Sequence, residues 1–260
     1  MRLSANTGFL YPGRPLSEAI RAAAAAGFDA VEFHDEPQRS DIGAVRAALD
    51  ETGLPVVSMN IFMGPTAGCA ASPGREAQFA EDLRHALRAA DALDVPALHV
   101  LAGPGPGDRA TFLRNLRRAL GETDRRLLIE PICGAAAPDY ALRLPAQAAE
   151  IIEDIGDDRL QLLFDCFHVQ METGDAQAQF DNHAGRIGHV QVASVPGRIE
   201  PTAGAAWIVD LMRHMAASGY RGAFGLEYRP SRSIAETVQG LRAAMRDPPS
   251  SRAAVPIART

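Results

Sequence analysis

The chain has 260 residues and a mass of 27.7 kDa, with 26 basic side chains against 32 acidic ones, and every basic one is arginine. The absence of lysine excludes Schiff-base enolisation, covalent pyridoxal phosphate and a Walker A loop, which needs Gly-Lys-Ser/Thr. A net charge of −6 argues against a partner rich in phosphates such as nucleic acid, while 47% hydrophobic content is that of an ordinary folded protein.

Short apolar runs alternate with longer helical patterns along the whole chain. Strands are expected at 3–7, 30–33, 55–59, 97–101, 127–130, 160–165, 187–192 and 223–228. Helices are expected after each, at 16–26, 42–52, 75–93, 109–121, 146–155, 176–184, 207–218 and 234–245. Gly27, Gly53, Gly156 and Gly219 fall just past helical patterns, where a left-handed residue ends a helix; Asp108 and Ser233 stand where N-caps belong. Eight strand–helix units in about 250 residues is the arithmetic of a single (β/α)₈ TIM barrel, an α/β fold. A doubly wound sheet is the rival, but no GxGxxG follows the first strand. The barrel is expected over residues 1–246, with 247–260 as a flexible tail or a strap on the barrel. Met1-Arg2-Leu3-Ser4 opens without an apolar leader and no run reaches membrane-spanning length, so a cytoplasmic protein without membrane association is expected. Cys69, Cys133 and Cys166 form neither a disulfide framework nor a thiolate zinc pattern. Cys166, beside Asp165 and near His168, would be a nucleophile only with a base close in space.

In a TIM barrel the C-terminal ends of the strands form the active face. Glu130, Asp165, Gln191 and Glu227 each close an apolar strand run, on units five to eight in succession. A single acid there is ordinarily a helix cap or half of an ion pair. Three carboxylates and an amide on one face repel unless a cation sits among them, and all-oxygen donors favour one divalent ion, Mg²⁺ or Mn²⁺. His168 and Arg198 are candidates for substrate binding, the latter by clamping a carboxylate; the plainer alternatives are a core histidine and a surface pair with Glu200. His99 and Asn60 are weaker substrate-binding candidates. His189, two residues before Gln191, suits core hydrogen bonding, and Glu32 suits either neutralising an arginine or orienting a ligand.

Several segments together resemble the hydroxypyruvate isomerase family, within the wider xylose isomerase-like TIM barrels. They are Val31-Glu32-Phe33, Ser72-Pro73-Gly74-Arg75-Glu76, His99-Val100-Leu101-Ala102-Gly103 and Leu128-Ile129-Glu130-Pro131-Ile132. The most specific are the run from His189 through Gln191 to Pro196-Gly197-Arg198, and Glu227-Tyr228-Arg229-Pro230. The similarity covers about residues 1–240. It implies one divalent metal held by Glu130, Asp165, Gln191 and Glu227, with Glu130 and Glu227 as the acid/base pair. It also implies an aldose–ketose type shift through a cis-enediol, on a small keto acid or a sugar. Such chemistry is sensible physically, because a metal that chelates the carbonyl and hydroxyl oxygens stabilises the enediolate while carboxylates move the proton. The chain departs from the family after Arg198. Ile199 and Ala205 replace a histidine and a glutamate, which leaves the substrate open. His34 also departs from the residue expected after Val31-Glu32-Phe33. A sugar isomerase or epimerase, a keto-polyol dehydratase and a non-catalytic sugar-binding barrel remain alternatives, as does a homo-oligomer.

Overall fold

The computed structural model describes residues 1–201 and 206–246; the expected tail at 247–260 and Ala205 lie outside the described residues. Eight parallel strands close into a barrel in chain order: β1 Arg2–Asn6, β2 Ala30–Phe33, β3 Val56–Asn60, β4 Ala97–His99, β5 Arg126–Ile129, β6 Leu160–Asp165, β7 Ile187–Val192 and β8 Ala223–Leu226. The helices are α1 Thr7–Leu10, α2 Leu16–Ala25, α3 Ile42–Thr52, α4 Glu76–Leu93, α5 Arg109–Glu122, α6 Pro145–Ile155, α7 Cys166–Thr173, α8 Ala176–His183, α9 Ala206–Ala217 and α10 Ile234–Ala244. The barrel expected from the eight-unit arithmetic is therefore the one observed. No described helix is long and apolar enough to cross a membrane.

Local chemistry fixes the ends of these elements. Asp108 accepts from Thr111 N at 2.7 Å to start α5, and Ser233 accepts from Glu236 N to start α10. Gly53 ends α3 at φ +67 and donates to Leu49 O, a conformation that side chains with a Cβ adopt at a cost. Buried alanines such as Ala19, Ala23, Ala48, Ala86 and Ala119 let the outer helices close on the strands.

Two helices lie outside the sequence expectation, and both sit at the active face. α1 is a single turn capped by Asn6, whose side chain accepts from Phe9 N at 3.1 Å. One turn is too short to leave a periodic signature. α7 follows β6 without a loop, and its residues Cys166, Phe167, His168 and Val169 are all buried, so it has no polar stripe on that turn.

The two-residue period of a strand decides what the barrel encloses. Ala97, Leu128 and Leu163 form a small separate apolar cluster. Two residues further along the same strands stand His99, Glu130 and Asp165, all buried. The apolar layer is thus a floor, and the interior above it is polar, joined by Ser4, Asn6, Glu32, His189, Gln191 and Glu227.

Candidate active site

Glu130, Asp165, Gln191 and Glu227 are all less than 10% exposed at the C-terminal end of the barrel. Asp165 and Gln191 are register partners on β6 and β7, and Gln191 is in turn the partner of Gly225 on β8, two residues before Glu227. Asp165 does two jobs at once: Oδ1 accepts from Phe167 N at 2.7 Å and caps α7, while Oδ2 faces the site. Glu130, Asp165 and His168 offer ligand atoms that lie within 4.8 Å of one another. Burial, together with the charges of Glu227 and Asp165, pushes the Glu130 carboxyl well above the usual carboxylate range.

Two buried oxygens in this cluster, Glu130 Oε1 and Gln191 Oε1, have no hydrogen-bond partner. An unpaired buried acceptor is costly, and oxygen acceptors beside carboxylates suit a hard divalent cation. The side chains whose ligand atoms lie together, and so fit such an ion, are Glu130, Asp165 and His168, with Gln191 on the neighbouring strand and Glu227 just past β8 as further oxygen groups.

Arg198 enters the same cluster. It is 7% exposed and takes φ +51, a left-handed conformation that costs a non-glycine residue about 1–3 kcal/mol. The turn that carries it is pinned by Ser194, whose N–H donates to Ile199 O and whose hydroxyl donates to Glu200 O. Arg198 Nη2 lies 2.5 Å from Asp165 Oδ2 and 3.0 Å from Glu227 Oε2. Nη1 donates to His168 Nε2 at 2.6 Å and Nε to Glu227 O at 3.1 Å. Phe9 and Phe167, from α1 and α7, place their rings 4.6 and 5.0 Å from the guanidinium carbon. Burial works against the guanidinium charge, but Asp165, Glu227 and Glu130 outweigh it and raise its pKa. The surface pair with Glu200 does not form: the Glu200 carboxylate accepts from Ser231 and Arg232 instead.

Around the cluster opens a cavity of about 480 Å³, in the range that encloses small ligands. His99 and Asn60 stand on its wall together: His99 Nδ1 meets Asn60 Oδ1 at 3.0 Å, and His99 Nε2 is 3.6 Å from Glu130 Oε2. Burial and the nearby charges of His34 and His189 drive the His99 imidazolium pKa down to about 3. A neutral ring that gives its Nδ1 proton to Asn60 keeps Nε2 as a free acceptor, and that atom has no hydrogen-bond partner. His168, brought down to about 4 chiefly by burial, is likewise neutral; its Nδ1 lies 3.2 Å from Cys133 Sγ. Cys166 is fully buried and its thiol is pushed far up by burial, which leaves the nucleophile reading without support.

Three kinds of residue at the site escaped the sequence reading. His34 Nε2 meets Glu227 Oε1 at 3.1 Å, and this contact with its charge outweighs burial and raises the imidazole pKa. Arg229 lines the cavity with an exposed side chain, and its backbone N–H donates to Arg198 O at 2.8 Å. Phe9 and Phe167 frame Arg198. The rule that found Glu130 and Glu227 also points to His34 and Arg229, since each follows the C-terminal end of a strand; no such signal exists for the two rings.

The chain is similar to several known proteins. A family model described as xylose isomerase-like TIM barrel matches residues 20–246. The 2-oxo-tetronate isomerase of Cupriavidus necator is 36% identical, over 88% of this chain and 93% of the relative. The hydroxypyruvate isomerase of Escherichia coli is 33% identical, over 93% and 97%. A crystal structure titled AP endonuclease, family 2, from Brucella melitensis superposes with a TM-score of 0.82 at 29% identity, over 91% of this chain and 96% of that one.

Proposed function

Because the chain belongs to the xylose isomerase-like TIM barrel family, with hydroxypyruvate and 2-oxo-tetronate isomerases among its relatives, we propose that it interconverts a small 2-keto acid and its hydroxy-aldehyde isomer through a cis-enediol. The observation that carries this reading is the convergence of Glu130, Asp165, Gln191 and Glu227 on one mouth of the barrel, with Glu130 Oε1 and Gln191 Oε1 unpartnered. A divalent ion held by these four, Mg²⁺ or Mn²⁺, would polarise the substrate carbonyl and stabilise the enediolate charge. The acid/base work falls to Glu130 and Glu227. His34 and Arg198 hold the Glu227 carboxylate in place, and Glu130 stands across the cluster beside Asp165 and His168. One takes the proton from the carbon beside the carbonyl and the other manages its return at the neighbouring carbon. His99 Nε2, which has no partner, is the acceptor for a substrate hydroxyl, with Asn60 orienting His99, while His168 lines the cavity with its Nε2 held by Arg198. Arg229, exposed on the cavity wall, is the guanidinium for a substrate carboxylate, since the nitrogens of Arg198 are taken by Asp165, Glu227 and His168.

One structural relative carries an AP endonuclease title, but a chain with net charge −6 and an oxygen-rich ligand set favours the isomerase. A panel of three- to six-carbon keto acids and ketoses, offered with Mg²⁺ or Mn²⁺, tests the reading through product mass. Isomerisation conserves mass and dehydration loses one water. Bound metal with no turnover on any of them would favour a non-catalytic barrel.

A further inference from the structure

Gln191 can serve a cation only with its oxygen; the amide turned over would present two N–H donors to the ion. Nothing in the residue itself sets that direction, so something beside it must. The Gln191 Nε2 donates to Glu32 Oε1 at 2.8 Å. Glu32 sits on β2 and Gln191 on β7, with β1 and β8 between them in the barrel. The carboxylate crosses this gap over Gly225, which is the register partner of both Ser4 on β1 and Gln191 on β7. A Cβ at Gly225 would stand 2.4 Å from Glu32 Oε2 and 2.6 Å from Oε1, so the crossing depends on a residue without a side chain.

Every other contact of Glu32 keeps it an acceptor. Ser4 Oγ donates at 2.8 Å, Asn6 Nδ2 at 3.3 Å, and His189 Nε2 lies 2.7 Å away. With Ser4 and Asn6 donating to the same carboxyl group, Glu32 takes the nitrogen end of Gln191, and the oxygen end is left on the other side. That other end, Oε1, is one of the two unpartnered oxygens of the cluster.

We propose that Glu32 is a positioning residue that fixes the Gln191 amide with Oε1 toward the ligand cluster, and that Gly225 is the space this requires. The proposal deepens the metal-site reading given above and rests on it for the affinity readout. The Mn²⁺ affinity of the full-length chain is measured by electron paramagnetic resonance for the wild type, Glu32→Gln, Gln191→Ala and the double variant. Loss of such an outer hydrogen-bond partner weakens a metal roughly 10–100-fold, and that is the expected effect of Glu32→Gln. In the double variant, Glu32→Gln adds no loss to that of Gln191→Ala, because Glu32 acts through the amide. Wild-type affinity in Glu32→Gln, or an equal loss in both backgrounds, overturns the proposal. Gly225→Ala keeps the charge, displaces the carboxylate, and weakens Mn²⁺ in the same direction; unchanged affinity there counts against the proposal. Exchange of the Gln191 side-chain amide protons, identified by their absence in Gln191→Ala, is read without metal. It is slow in the wild type and faster in Glu32→Gln. Slow exchange in a wild type that binds no Mn²⁺ would keep the Glu32 clamp and remove the metal reading, whereas fast exchange in the wild type removes the clamp.

Discussion

Arg198 and Asp165 meet at 2.5 Å, and the same guanidinium nitrogen is 3.0 Å from Glu227 Oε2. The arginine therefore neutralises two of the four side chains proposed to hold a metal. Removing it leaves buried carboxylates unpaired, a change that costs about 3–5 kcal/mol in comparable buried pairs. Arg198→Gln should melt well below the wild type without metal, yet gain more from added Mn²⁺, because a competing charge is gone. An affinity increase of about tenfold corresponds to about 1.4 kcal/mol. Melting curves across a Mn²⁺ series check this; an equal or smaller metal-induced shift than in the wild type contradicts it.

Arg229 makes no side-chain ion pair among the described residues, although its backbone is tied to Arg198 O and it lines the cavity. A guanidinium free at the mouth is suited to take the carboxylate of a keto acid. Hydrogen bonds to charged groups contribute about 1.5–3 kcal/mol, so Arg229→Ala should raise KM for acidic substrates roughly 10–100-fold with kcat little changed. An uncharged ketose, if turned over, should show no such increase. Steady-state kinetics on both classes separates the cases, and an equal rise for both would remove the anchor role.

Glu200 ties the loop after β7 to the loop after β8: its carboxylate accepts from Ser231 Oγ at 3.1 Å and Arg232 N at 3.0 Å. Burial acts to raise its pKa, but the hydrogen bonds from Ser231 and Arg232 prevail and lower it. A carboxyl depressed in the folded state stabilises the fold above its unfolded pKa, about 4.3, and that contribution fades as pH falls through the folded value. Glu200→Gln should melt a few degrees below the wild type at pH 7, and the gap should narrow steadily in acid below about pH 4. A gap that is constant from pH 7 to pH 3 would show that the charge on Glu200 is not what matters.

The barrel was legible because its strands are apolar runs ended by polar residues, and Glu130, Asp165, Gln191 and Glu227 stand out against that background. Their convergence follows from parallel strands in register, which is why four separate stretches of sequence gave one cluster. The position of Arg198 was not legible. Its inward turn depends on Ser194 and on φ +51, and the rings that flank it come from α1 and α7, too short or too uniformly buried to show a period. Glu32 was visible only as a choice between two roles, and the choice turns on Gly225, a glycine whose purpose appears once Glu32 is seen to pass over it. The divergent loop begins with Ile199, 46% exposed, and its Ala205 lies outside the described residues.

The central claim is that Glu130 and Glu227 carry a proton between neighbouring carbons with a divalent metal in place. Its most direct test is turnover of hydroxypyruvate by the Mn²⁺-loaded wild type in D₂O, followed by mass spectrometry and NMR of the product. The account predicts an aldehyde isomer formed without loss of water and labelled by deuterium at the carbon that receives the proton. Turnover should be abolished by chelation and reduced roughly 10²–10⁴-fold in Glu130→Gln and Glu227→Gln. Undiminished turnover in either variant, or a product lighter by one water, would contradict it.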